Sequence, residues 1–541
     1  MMNGKHLRTI VALATVAIIT VSAIGLAGCK GDKSGMSPER AKTLIVALPG
    51  DVNSLDHDKN SGLSRTMDIN ILDWQWIKLG ATMVNGQLTA DRTQMEAGIV
   101  KSWETQKLPD GRVKQIFHLR KGVMFHTGHE VTAHDLAWAM ERRMGTKGDY
   151  VHIFLGAMYT GAELAASLNI PDPYTLEVTC KQDMPYFWDI WAQRVYFDAD
   201  YVKSKAAADD PWGLKVVSKE DVGSGPYKVT TWTSGVEMVL ERFGDYFGDK
   251  PYFDKIIFKV VPDLSARIMM LETAEVDMAM GIPAKEMDAL VGKPGIKVVT
   301  GAGMTQVFVT IKADVAPFDD VKVRQALSYA FPYDDVLTSV YGGQAQEMNG
   351  PVPTGLQGAL AQRPFSTDLE KARQLLTEAG KTNLNLTLAY CADYPEHEKI
   401  GLLFQASLAK IGVTCQLQQL PVGEFEKQAR EKTIPFAVRS GLGYIWDPAY
   451  MLQMWFLGES FINIQGYKNP TVDQMIYDML RETDPAKRAA LVTQAQDIIV
   501  ADVPSIYVAQ PNFRQAMRDD IQGYVYQNTE YSHLWELRRD R

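Results

Sequence analysis

Cysteine is scarce in this chain, and its basic residues form no long run. Of 541 residues only four are Cys, and 56 Lys plus Arg face 65 Asp plus Glu, for a net charge of -9. An acidic chain without a basic stripe gains nothing from counterion release, which sets nucleic-acid binding aside. Chemistry-bearing motifs are missing as well. There is no CxxC and no Cys/His metal spacing, and Gly223-Ser224-Gly225 has the wrong spacing for a nucleophile elbow. Gly380-Lys381-Thr382 ends like a phosphate loop, but Leu375 stands where the first glycine belongs, and Gly301-Ala302-Gly303 lacks the third glycine of a dinucleotide turn. No cofactor and no resident metal is expected. What is present is an ordinary globular composition, 46% apolar and 22% charged, which excludes wholesale disorder and a polytopic membrane protein. At about 100–200 residues per domain the length suggests two to four domains.

The start of the chain sets the compartment. Lys5, His6 and Arg8 precede an apolar run from Ile10 to Leu26. At about 17 residues the run is marginal for a membrane span. It closes on Leu26-Ala27-Gly28-Cys29, which resembles the lipobox of a bacterial lipoprotein. That resemblance implies a signal peptide over 1–28, cut before Cys29, whose sulfur then carries diacylglycerol. The polar stretch 29–42, rich in Gly, Ser and Pro at its start, reads as a flexible tether. The expected protein is exported and lipid-anchored to a membrane. Cys180, Cys391 and Cys415 remain. Cys391 ends one strand-like run and Cys415 begins another, so in parallel neighbours they lie about five residues apart. At roughly 3.3 Å per residue this exceeds disulfide reach, and all three read as buried thiols.

Strand and helix signals alternate in two blocks without a repeat. Thr43–Leu48, Gln115–Leu119 and Thr175–Thr179 read as strands, and His134–Arg143 as a helix with a capping box from Thr132 to Asp135. Asp320 opens a helix through Ala330. Thr367 with Glu370 caps another, which Gly380 ends. From Leu384 to Leu420 the pattern is strand, helix, strand, implying a parallel crossover. Asp484-Pro485 opens a helix as cap and first residue, and Pro504–Ala509 is a late strand. His126, His129 and His134 with Glu130 spell H-E-x-x-x-H, one residue too long for two histidines on one helical face. They read as a strand end, a turn and a helix cap, the rival being a secreted metal-dependent hydrolase.

Three stretches together resemble the peptide/nickel-type extracellular solute-binding proteins of ABC importers, solute-binding protein family 5. They are Gly98–Glu104 running on to the segment from His118, Gly223–Tyr227 followed by Val239–Asp263, and PFDDVKVRQALSYA from Pro317 to Ala330. The resemblance implies an α/β, periplasmic-binding-protein-like (class II/cluster C) fold of two lobes with hinge strands and an inserted subdomain. Lobe I would hold 43–303 plus 510–541, with the insertion near 85–190, and lobe II 304–509. It also implies capture of a small solute in a closing cleft, delivery to a permease and ATPase complex, and a monomer.

The same resemblance nominates contacts. Peptide-binding members pair the peptide's α-amino group with an aspartate. In the matching segment Ser440–Pro448, Tyr444 stands at that position and Leu442 or Gly441 near the expected tryptophan. Asp447, before Pro448, either substitutes or serves as a local cap. Trp446 stands where a nickel-chelate binder has tyrosine. Arg194 falls where that binder faces its ligand's carboxylates, the alternative being a surface ion pair, and Arg439 is a second candidate. Tyr150 and His152 occupy positions of cleft aromatics. The loop Asn60–Ser64, with Ser61, Gly62 and Leu63, corresponds to a ligand-touching loop. Trp74 and Trp76 divide between core and surface. The expected solute is peptide-like or carboxylate-bearing, the rival within the family being a metal chelate with His152 as extra ligand. A sensory or chaperone role on the same fold is the remaining alternative. Replacing Cys29 by Ala should abolish signal cleavage and lipid attachment, and fatty-acid labelling that persists in the variant would refute the lipobox.

Overall fold

The computed structural model describes residues 36–52, 54–59, 63–72, 76–84, 87–146, 159–181, 195–443, 445, 447–460, 462–527 and 531–540. Two mixed sheets organise them. The first has seven strands in the order Ile296–Gly301, Phe513–Arg518, Met278–Ala279, Thr43–Leu48, Lys255–Val260, Glu237–Arg242 and Tyr227–Thr233. The second has six, in the order Ala345–Glu347, Ser505–Pro511, Thr305–Ile311, Phe436–Leu442, Asn385–Cys391 and Thr414–Leu420. A four-stranded sheet (Val100–Lys107, Val113–Leu119, Thr175–Cys180 and Leu168–Asp172) forms the body of the insertion, packed under the helix Ala133–Thr146. This is the two-lobe α/β architecture. Among the described residues no helix is long and apolar enough to cross a membrane.

The first strand is buried along its whole length and sits centrally in its sheet, as a continuous apolar run should. Its start is fixed by a carboxylate. Asp277 accepts from Ile45 N (2.8 Å) and from both terminal nitrogens of Arg40 (2.8 Å each), and Arg539 Nη2 reaches it at 2.7 Å. The expected tether therefore ends early: Pro38–Ala41 form a helical turn capped by Ser37, and Arg40 is docked. Near the other end of the chain, the helix Pro485–Asp502 starts as the sequence predicts, with Asp484 accepting from Ala486 and Lys487. The helix Leu369–Glu378 is capped one residue later than expected, by Asp368, because the Thr367 hydroxyl donates instead to Phe331 O. Thr132 and Asp135 make half of a capping box: Asp135 accepts from the Thr132 amide and hydroxyl.

Asn385–Cys391 and Thr414–Leu420 are parallel neighbours joined through the helix Pro395–Ala409. Leu386 pairs with Cys415 and Cys391 with Leu420, so the two cysteines are five rungs apart. Both, like Cys180, are buried free thiols. His126 is spent on Asp221 (2.7 Å) and Gly225 O (2.9 Å), and His129 on Asp198 (2.8 Å), so these histidines tie the turn to the body of the lobe. Trp76 is buried edge-on against Phe117 at 5.7 Å, while Trp74 lies outside the described residues. The largest apolar cluster runs from Phe117, Leu136 and Val178 of the insertion to Tyr450, Trp455 and Ile476 beneath the second sheet.

The chain passes between sheets twice, from Gly301 to Thr305 and from Pro511 to Phe513. Both passages lie together. Gln510 Nε2 donates to Gly303 O at 2.7 Å, its Oε1 accepts from Thr354 N at 3.0 Å, and the Tyr526 hydroxyl donates to Ala302 O. A β-carbon on Gly303 would stand 1.6 Å from Pro511 O. That contact is with backbone, which cannot step aside as a side chain does. Gly303→Ala should therefore cost about 1–3 kcal/mol or more, read as a lowered urea midpoint against the parent chain.

Candidate functional site

Beside the two passages lies a cavity of about 230 Å³ walled by both lobes. Met287 and Arg514 face it from the first lobe, and Tyr341, Tyr394, Glu396, His397 and Ser440 from the second. Tyr394, Glu396 and His397 are there because Asn385–Cys391 ends and the next helix begins, with Pro395 at its first position. Crevices beyond the carboxyl ends of strands are where open α/β sheets bind ligands.

His397 is buried, with Nε2 2.7 Å from Ser440 Oγ on the Phe436–Leu442 strand. Burial first, and then the positive charge of Arg439, push its imidazole down to about 3, so it is neutral near pH 7. The Tyr394 ring lies against the imidazole, tilted by 31° with centroids 4.8 Å apart. The Tyr341 phenol is raised by burial and by the nearby Glu396 carboxylate. Arg514 Nη1 is held by Asp288 Oδ1 at 2.5 Å and by Ala284 O at 3.3 Å.

A second construction supports the loops of lobe I. Arg142 Nη1 reaches Asp56 at 3.0 Å and Asp58 at 2.7 Å, and its Nη2 reaches Asp56 at 2.6 Å. Arg143 binds Asp58 through Nε at 2.9 Å and Val195 O through Nη2 at 2.6 Å. Burial alone would weaken the Arg142 charge, but the two carboxylates raise its pKa above the ordinary value. Lys59 Nζ donates to Thr146 O at 2.8 Å. Asp56, Asp58, Lys59 and the Val195 carbonyl are thus tied to the end of the Ala133–Thr146 helix. His57 and Asp68, both buried and 2.8 Å apart, join the same stretch to the helix Leu63–Ile71.

Of the residues nominated from sequence, Cys29, Ser61, Gly62, Tyr150, His152, Arg194, Tyr444 and Trp446 lie outside the described residues. Leu63 opens the helix Leu63–Ile71. Asp447 takes its alternative role. It caps the helix Pro448–Phe456 by accepting from Tyr450 N at 3.0 Å, and Arg488 clamps both its oxygens at 2.6 and 2.7 Å. The candidate role as the ammonium's partner is corrected accordingly, since its carboxylate is already committed. Arg439 does not line the cavity. Its guanidinium lies 5.5 Å over the Phe425 ring and 3.4 Å from Glu426, and it acts on the site through His397. Tyr341, Tyr394, Glu396, His397, Ser440 and Arg514 were not anticipated. The only sequence signal for them is the strand end before Tyr394-Pro395-Glu396-His397.

Residues 94–463 match the family described as bacterial extracellular solute-binding proteins, family 5 Middle. The chain belongs to this family. Its members among the relatives are solute-binding proteins of ABC importers, exported to the periplasm or cell exterior, and not enzymes. It is 24% identical to the probable D,D-dipeptide-binding periplasmic protein DdpA of Escherichia coli (strain K12), over 80% of this chain and 83% of that protein. It is 25% identical to the glutathione-binding protein GsiB of Shigella dysenteriae serotype 1, over 90% and 92%. Among solved structures, the periplasmic binding protein DppA from Helicobacter pylori in complex with the peptide STSA superposes with a TM-score of 0.81 at 25% identity, covering 92% of this chain and 98% of that one.

The commitment of Asp447 gives a test. Asp447→Asn keeps the cap oxygen but leaves the Arg488 guanidinium half-paired in a buried site, which should cost about 3–5 kcal/mol. The expected result is a lower urea midpoint with the amount of co-purified solute per folded chain unchanged.

Proposed function

We propose that this family-5 protein is a lipid-anchored, monomeric substrate-binding protein that captures a peptide-like or carboxylate-bearing small solute and delivers it to the permease and ATPase of an ABC importer. On this reading residues 1–28 are a signal peptide, Cys29 carries the lipid, and lobe I (43–303 plus 510–541) and lobe II (304–509) close over the solute. The observation that carries it is the cavity beside the two passages, walled by Met287 and Arg514 from one lobe and Tyr341, Tyr394, Glu396 and His397 from the other. A solute that touches both walls stabilises only the closed arrangement, so binding and closure are one equilibrium. Micromolar capture requires only about 8 kcal/mol of net binding, which two or three ring contacts and one shielded ion pair supply.

Relatives named for a D,D-dipeptide and for glutathione support a peptide-like solute. With Asp447 committed to Arg488, an amino end held at the Asp-Pro segment is disfavoured. Arg194 remains the partner proposed for a solute carboxylate, where a guanidinium fits bidentately.

Native mass spectrometry of the purified chain, followed by denaturation and identification of the released solute, tests the reading. A ladder of peptide masses or one defined small acid supports it. A chain that carries no solute, and whose melting temperature no peptide or carboxylate panel shifts, refutes it. Arg194→Ala should weaken binding of a carboxylate-bearing solute at least about tenfold, or about 1.4 kcal/mol, by calorimetry.

A further inference from the structure

Two charged side chains line the inter-lobe cavity, Arg514 from the first lobe and Glu396 from the second. Arg514 already has its counter-ion, since Nη1 meets Asp288 Oδ1 at 2.5 Å. Glu396 has none: among the described residues no Lys, Arg or His nitrogen lies within ion-pair distance of its carboxylate. The adjacent imidazole of His397 does not supply the missing charge, because burial and Arg439 keep it neutral. Arg439, the other guanidinium near this corner, sits against Glu426 and outside the cavity wall. Among the described residues, Glu396 is thus the charged lining side chain left without a counter-ion.

The surroundings of Glu396 suit a cation in other ways. Tyr341 and Tyr394 flank the same cavity, the first buried and the second 47% exposed. Phenol rings attract an ammonium or guanidinium group through their electron-rich faces. His397 is 2% exposed and its Nδ1 is a buried polar atom with no hydrogen-bond partner. When Nε2–H donates to Ser440 Oγ, Nδ1 holds a lone pair for an incoming N–H. Glu396 stands in the first turn of the Pro395–Ala409 helix.

We propose that this end of the cavity takes a cationic nitrogen of the solute, an ammonium or guanidinium group, on the Glu396 carboxylate beside the rings of Tyr341 and Tyr394. The proposal rests on the reading of the chain as a solute-binding protein and deepens it. The amine-holding carboxylate is moved from the segment before Pro448, where Asp447 is engaged by Arg488, to the start of the Pro395–Ala409 helix. The solute then lies with its basic group toward the two passages of the chain.

The test compares the full-length parent and Glu396→Gln, purified in parallel from the same cells. Solute is released by denaturation and identified by mass, and each stripped protein is titrated calorimetrically with agmatine, putrescine, Gly-Arg and glutarate. The expected result is a solute with a basic nitrogen, at least about tenfold tighter binding of the basic probes by the parent than by Glu396→Gln, and equal melting temperatures for the two stripped proteins. A released solute without a basic nitrogen, or equal affinity for the basic probes in parent and variant, overturns the assignment to Glu396 while leaving solute capture intact. No released solute together with no binding of any probe overturns both the assignment and the reading beneath it.

Discussion

Gly303 and Pro511 touch backbone to backbone, with no room between them for a β-carbon. The two passages of chain between the sheets meet there, so this contact bears on where the lobes can turn about each other. Gln510 locks one passage to the other, and Tyr526 fastens the first to lobe I. The cavity sits directly beside this point, so a small rotation there moves the walls that carry Tyr394 and His397 against the wall that carries Met287 and Arg514. Both passages run from the end of one strand to the start of the next, the kind of element-terminal position at which hinges form.

Buried carboxylates recur through the molecule, and most of them shape it rather than meet solute. Asp56 and Asp58 neutralise Arg142 and Arg143, Asp277 joins two arginines, and Asp447 answers Arg488. Taking such charges out of water is costly, and each pair is tolerable because several hydrogen bonds converge on the same group. Their use is positional. The Arg142 and Arg143 cluster gathers three segments of chain at one helix end, so the parts of lobe I that precede the cleft are held in register before any solute arrives.

Elements whose period and caps agree were legible in the sequence. Thr43–Leu48 is the strand its unbroken apolar run predicts, Asp484-Pro485 opens its helix, and the five-residue offset of Cys391 and Cys415 appears in the register. Motif resemblance carried the two-lobe architecture. The site was less legible, for two physical reasons. Asp447 looks the same in sequence whether it faces a ligand or Arg488, and its partner lies 41 positions away, beyond any local pattern. His397, Ser440 and Arg514 come from three distant segments that only the folded strands bring together. Thr367 lost the cap to Asp368 because a hydroxyl can serve a neighbouring carbonyl as readily as its own helix.

Arg40, close to the start of the described chain, and Arg539, close to its end, grip the same carboxylate of Asp277. Lobe II is in effect inserted into a lobe whose two ends are knotted to one atom group at the base of its central strand. A pull applied ahead of Arg40 would meet this paired carboxylate beside the central strand of the first sheet, well before it reached Gly303 or Pro511 along the chain.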